Sequence, residues 1–276
     1  MNALLLVARQ ELLLSARARS IQIFAAVFAV LALAVAGSGY VLTGGVGVQD
    51  FARTAASLVQ LVLLVVPLMA LLLGVVSLSG ERGSLELLFA QPLARRDILL
   101  GKLLGLGAAL VGAEAIGFGA AGALIYWKTD QLGLGSYLLL VAGAVVLTGI
   151  FLGVAGAIAT GAPGQKRTRA IAVALVVWFG AVIFLDLVAL GLCTLLPSGL
   201  GSRVLIVSVL ANPASALRTA ELLLFEGTAA FGAASLALLR FTHGPVGAAL
   251  ALGGSLFLWL VLPVIVAIHR LRAADL

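Results

Sequence analysis

Six stretches of this chain are apolar over roughly 20 residues each, a length that the bilayer itself sets. At about 1.5 Å of rise per residue, such a helix crosses a hydrocarbon core of about 30 Å. The stretches are residues 21–42, 56–79, 103–126, 137–160, 170–196 and 246–268. Hydrocarbon offers no hydrogen bonds to an open backbone, so a crossing segment must close its bonds internally as helix. Composition separates this reading from a large soluble helical core. The 276 residues are 63% hydrophobic and 10% charged, whereas a soluble domain is about 45–50% apolar and about 25% charged. The expected fold class is all-α: a polytopic membrane protein with six transmembrane helices.

Six crossings put both termini on one side, and the basic residues choose that side. Arg9, Arg17, Arg19, Arg82, Arg95, Arg96, Lys102, Lys166, Arg167, Arg169, Arg270 and Arg272 fall on one face, and Arg53, Lys128, Arg203, Arg218 and Arg240 on the other. Cytoplasmic loops carry the excess of Lys and Arg. Both termini and residues 80–102 are therefore expected in the cytoplasm, in a multi-pass protein of the inner (plasma) membrane. On a soluble domain the net charge of +6 would point to nucleic acid. Here the basic residues flank apolar spans, so topology explains them and no nucleic-acid partner is expected.

Residues 1–20 carry Arg9, Arg17 and Arg19, with Leu4, Leu5, Ala8 and Leu12 in an imperfect helical stripe. That pattern fits an interfacial helix whose basic side meets anionic headgroups. A signal peptide is the rival, with Ala34-Val35-Ala36 as a cleavage-like site. Its leader is too long, and residues 21–42 are long enough to span. Residues 197–245 are the long connection expected outside. There Asn212-Pro213 reads as a turn between elements, and Glu226 argues against one combined crossing. The expectation is helices lying along the outer surface, capping the bundle or holding an extracytoplasmic partner.

Glycines recur at helical spacing. Gly101 and Gly105, like Gly149 and Gly153, are four apart, and Gly119 and Gly122 are three apart. Small residues so placed let backbones approach closely in lipid, in a packed bundle or a dimer seam. A general bias toward small residues is the alternative. Two acids lie within spans, Glu114 in the third and Asp186 in the fifth. Such groups normally face protein or water, and no basic residue is expected at their depth. They either line a polar path or moving seam, or form hydrogen bonds that clamp helices together.

The densest polar interruption is residues 80–102, GERGSLELLFAQPLARRDILLGK. Leu85, Leu88 and Phe89 recur at spacings of three and four, giving a short helix one apolar face. Gln91-Pro92 ends it, because proline lacks an N–H and clashes with the preceding turn. A second turn with Arg95, Arg96 and Asp97 follows. A solvated loop is the plain alternative. The run Glu81, Gly83-Ser84-Leu85-Glu86-Leu87-Leu88, Gln91-Pro92, Arg95 or Arg96, and Leu99-Leu100-Gly101-Lys102 resembles the first cytoplasmic loop of ABC-2-class permeases. Those are membrane subunits of some ATP-driven transporters. Members of that class usually carry more acids before the glycine than Glu81 alone. The resemblance implies a single ABC-2-type transmembrane domain over residues 1–276. It also implies a coupling helix through which Glu81, Arg82, Glu86, Gln91, Pro92, Arg95, Arg96 and Asp97 meet a cytoplasmic ATPase dimer.

The chain lacks a phosphate-binding GxxxxGK[ST] loop, since the run from Gly161 to Lys166 has the wrong spacing. No Ser/His/Asp set is recognisable. With His243, His269, the lone Cys193 and two Met, a soft-metal site is not expected. Hence no catalytic residue, cofactor or metal is expected, and ATP hydrolysis belongs to a partner.

Within the ABC-2 class, further features resemble the permeases of nitrous oxide reductase maturation. They are Trp178-Phe179, Phe184-Leu185-Asp186-Leu187, Asn212-Pro213 with Arg218 downstream, and Ile268-His269-Arg270. That likeness implies a second copy of the chain, a periplasmic β-helix partner, and motion transmitted to copper-site assembly outside. Three alternatives stay open: an exporter permease for a lipid, drug or other hydrophobic solute, an ion-coupled carrier acting alone, and a non-transporting assembly factor.

Overall fold

A computed structural model describes residues 3–41, 48–79, 94–128, 134–161, 167–225 and 233–273. All the elements it contains are helical: α1 (Ala3–Arg17), α2 (Arg19–Val41), α3 (Val48–Leu78), α4 (Arg95–Lys128), α5 (Leu134–Ala159) and α6 (Arg167–Phe179). A π-helical turn (Gly180–Phe184) joins α6 to α7 (Leu185–Leu195), and α8 (Ser198–Ala211), α9 (Pro213–Phe225), α10 (Ala233–Phe241) and α11 (Pro245–Ala273) follow.

Among the described residues, six helical runs are long and apolar enough to cross a membrane: Arg19–Ser38, Thr54–Leu78, Arg95–Trp127, Gly135–Ala159, Arg167–Leu195 and Pro245–Arg272. They coincide with the six expected spans, and the chain is an all-α polytopic membrane protein. One boundary moves. Arg95, Arg96 and Asp97 form the first turn of the third spanning helix rather than a separate turn. Nothing after Pro92 breaks the helix, and an acid such as Asp97 is favoured in a first turn by the helix dipole.

Close approaches at glycines fix the direction of each helix. A side chain at Gly101 would meet Val7, at Gly105 Ala8 and Glu11, and at Gly117 Phe28. Residue numbers rise together, so α1 and then α2 run parallel to α4. Gly122 lies against Tyr137, Gly107 against Leu152 and Gly156 against Leu103, so α5 runs antiparallel to α4. Gly149 lies against Leu260, Gly153 against Val264 and Gly156 against Ala267, so α11 is parallel to α5. Gly101/Gly105 and Gly149/Gly153 are thus seams inside one chain. Gly119 meets nothing within 4 Å.

We call the side where α1 lies, where α3 ends and where α4 begins the proximal side. The core packs α2 to α5 around fully buried Phe24, Phe28, Leu58, Leu71, Leu110, Leu147 and Phe151. Span five, built from α6, the π-turn and α7, leaves Phe179, Phe184, Leu187 and Leu195 on its surface.

Helix directions also settle residues 197–245. Spans four and six run the same way, and span five crosses once between them. The chain from α8 to α10 therefore starts and ends on the distal side. Its helices Gly199–Ala211 and Pro213–Leu224 are bent by 101° at Asn212, and they form a re-entrant pair. This differs from the expectation of helices flat on the surface. Antiparallel packing draws α8 down along α7, with Gly201 against Cys193 near the top. The Asn212 side chain reaches Ala181 at the bottom, about 20 Å below the end of α7 by helix rise.

Candidate functional site

Among the described residues, two ion-paired centres join separate helices of the apolar bundle. On the proximal side, Glu11 of α1 faces the end of α3 and the start of α4. Ser77 Oγ donates to Glu11 Oε1 at 2.6 Å, and Lys102 Nζ stands 3.8 Å from Glu11 Oε2. Lys102 also donates to the Ser77 carbonyl oxygen at 3.3 Å. Both ionic side chains are largely sheltered, at 15% and 12% exposure, so their attraction is less screened than at an open surface. Gly105 makes this contact possible. A side chain there would strike the Ala8 carbonyl oxygen and Glu11 Cβ. One acid therefore ties α1 to the two helix ends that bracket residues 80–93. On the exposed side of α1, Leu5, Leu6, Leu13 and Leu14 stand clear of the protein beside exposed Arg9 and Arg17.

The second centre is the tip of the re-entrant pair. Asn212 Nδ2 donates to the Ala181 carbonyl oxygen at 2.6 Å and to Ser215 Oγ at 2.8 Å. Ala181 lies in the π-helical turn. Such a turn shifts the bonding ladder to i→i+5 and is frequent at functional sites. Ser215 Oγ donates to Asp186 Oδ1 and Arg218 Nη2 to Asp186 Oδ2, each at 2.5 Å. The ion pair lies about 13 Å below the distal end of span five by helix rise. Its side chains are 35% and 21% exposed in the single chain.

Glu114 lies elsewhere. Thr148 Oγ1 donates to its Oε1 at 2.6 Å, joining α4 to α5, and Oε2 has no partner among the described residues. The two intramembrane acids are therefore not brought together. Glu114 bonds between α4 and α5, and Asp186 between α7 and α9.

A family model described as "ABC-2 family transporter protein" matches residues 5–276. The chain belongs to the ABC-2 family of transporters. It is similar to the "Probable ABC transporter permease protein NosY" of Pseudomonas aeruginosa, at 35% identity over 92% of both chains. The protein of the same description from Stutzerimonas stutzeri is 36% identical, over 86% of this chain and 87% of that one. The chain is thus a NosY-like ABC-2 permease subunit of an ABC transporter.

In this permease, Arg95, Arg96 and Asp97 of the expected coupling set open α4. Arg96 Nε stands 3.4 Å from Asp97 Oδ1, and Arg96 is 60% exposed. Glu81, Arg82, Glu86, Gln91 and Pro92 lie outside the described residues, as do residues 162–166. Two expectations need correction. Arg218 is not on the outer face, and Asp186 does not lack a base at its depth. The re-entrant bend carries the arginine down to the acid. His243 occupies the turn before α11 at a φ of 57°. Among the described residues, no three of His, Cys, Asp and Glu come together.

Glu11 and Ser77 escaped the sequence reading, which gives Lys102 only a place in the loop motif and the basic-residue pattern. A signal was present, because Glu11 falls beside Leu4, Ala8 and Leu12, an acid on the apolar stripe of a basic helix. Ser215 and Arg218 sit three and six residues past Asn212-Pro213, spacings that place them on one face of a helix beginning there.

Proposed function

We propose that this permease couples ATP hydrolysis, carried out by a separate cytoplasmic ATPase dimer, to movement across the inner membrane. The proximal side is cytoplasmic, and residues 80–102 form the coupling element that the ATPases grip. The carrying observation is the Glu11–Ser77–Lys102 tie. It fastens the helix ends on either side of residues 80–93 to a third helix. Displacement of the coupling element then pulls on α1, α3 and α4 as a unit. Close glycine seams leave stiff helices able to tilt together.

The working unit in this reading is a homodimer. The Asp186–Arg218 pair supports it, because a partly exposed ion pair at that depth is unfavourable against hydrocarbon. A second copy seated on span five would cover it. The likeness to NosY permeases supports a role in copper-site maturation of nitrous oxide reductase. There the permease transmits motion to a periplasmic β-helix, NosD-like protein and carries out no chemistry of its own.

Co-purification with the ATPase tests the reading. The wild-type permease should retain it, and the double charge reversal Glu81→Lys/Arg96→Glu should release it. ATPase retained at the wild-type level by that variant would sink the proposal. A periplasm-only reporter that became active when fused after Leu276 would sink the topology.

A further inference from the structure

Glu221 of α9 takes no part in either polar centre. It is 2% exposed, and neither carboxyl oxygen has a hydrogen-bond partner among the described residues. Oε1 lies against the backbone of α5 at Gly143, so close that any side chain there would collide with it. Leu217 closes the same spot. By helix rise, Gly143 is about 12 Å below the distal end of span four. The carboxyl group is therefore sealed between a re-entrant helix and a spanning helix.

An ionised carboxylate buried without a hydrogen-bond partner is strongly disfavoured, and neutralisation is the usual relief. Among the side chains described, no cation on the surrounding helices pairs with it. α9 packs against α3, α5, α8, α10, α11 and the π-turn. On α9 itself, Arg218 is committed to Asp186. Asp50 and Arg53 belong to the opening turns of α3, Arg203 to α8 and Arg240 to α10. His269, Arg270 and Arg272 lie in the last turns of α11, at its proximal end. On α5, the Tyr137 hydroxyl donates to the Phe118 carbonyl oxygen at 2.5 Å. Among the described residues, no group of three His, Cys, Asp or Glu that could hold a metal ion forms around it. A proton is the ligand that fits.

We propose that Glu221 is a proton-binding site, whose carboxyl group is held as the neutral acid while α9 is seated on Gly143. Lifting α9 would let water reach the group. The O–H bond would then break, its electron pair would stay on the carboxylate and the proton would pass to water on the distal side. The site needs no ATPase to exist, so it stands or falls separately from the coupling reading.

The test is difference infrared spectroscopy at neutral pH, on full-length permease in lipid nanodiscs with ¹³C-carboxyl glutamate. A Glu114→Gln background removes the other buried glutamate. A protonated-acid carbonyl band that shifts with the label and vanishes on adding Glu221→Gln is the expected result. The Gln variant, a neutral isostere, should keep the wild-type thermal midpoint. A spectrum with no protonated-acid band would overturn the proposal, and the background protein alone decides this if the Gln variant does not assemble. Loss of the band on adding a divalent cation would also overturn it, in favour of a metal site.

Discussion

The Arg218 guanidinium meets the Asp186 carboxylate at 2.5 Å, joining the re-entrant helix α9 to the middle of span five. Ser215 holds the other carboxylate oxygen, so removing the arginine leaves a charged group half satisfied within the membrane. Arg218→Ala should destabilise the permease by about 1.5–3 kcal/mol, the range for a hydrogen bond to a charged group. Asp186→Asn should cost less, because its amide oxygen can still accept from Ser215. Thermal unfolding of the two single variants and the double variant in nanodiscs gives the coupling energy. Effects that simply add would show that the pair does not hold the hairpin.

Glu11 offers a different lever, because its tie concerns transmission rather than the fold as a whole. Glu11→Gln keeps an oxygen for Ser77 and loses only the longer contact to Lys102. Glu11→Ala loses both. Losing one net hydrogen bond of about 1–1.5 kcal/mol corresponds to roughly a 5–10-fold change in an equilibrium. The alanine variant should therefore bind the ATPase normally and show several-fold weaker coupling of ATP hydrolysis to downstream activity, with the glutamine variant between it and the wild type. Unchanged coupling in Glu11→Ala would confine the residue to packing.

The six spans were legible because length and apolarity are properties of a continuous stretch, and lipid enforces both. The polar centres were not, because each is assembled from residues far apart in the chain. Glu11 and Lys102 meet only because α1 lies parallel against the start of α4, and no local period records that. The sequence puts Arg218 outside because residues 197–245 hold no single apolar stretch of spanning length. A re-entrant pair carries too little apolar length per helix to register as membrane-embedded. The Asn212-Pro213 turn was visible, but its depth depends on α8 packing antiparallel to α7. A boundary also moves at Arg95, because residues 95–128 carry no proline that would separate the basic turn from the span.

The seam at Gly105 should tolerate almost nothing. A methyl group there meets the Ala8 carbonyl oxygen, Glu11 Cβ and the Leu12 backbone nitrogen, so two helix backbones would have to separate. Overpacking of this kind costs typically about 1–3 kcal/mol. Gly105→Ala should loosen α1 and speed proteolysis within residues 3–17. Gly112→Ala in the same helix, where nothing lies within 4 Å, should leave both unchanged. Equal behaviour of the two variants would mean that α1 is not packed on α4.

The re-entrant path itself can be tested through the one native cysteine. A β-carbon placed on Gly201 would lie 3.2 Å from the Cys193 sulfur. A disulfide needs its two β-carbons about 3.5–4.5 Å apart, with about 2 Å between the sulfurs. Gly201→Cys should therefore cross-link to Cys193 under mild oxidant, because α8 descends directly beside α7. A cysteine at Gly199, which meets nothing within 4 Å, should remain free. Thiol alkylation followed by peptide mapping reads both. If α8 lay flat on the membrane instead, neither position would hold a fixed distance to Cys193, and the two variants would oxidise alike.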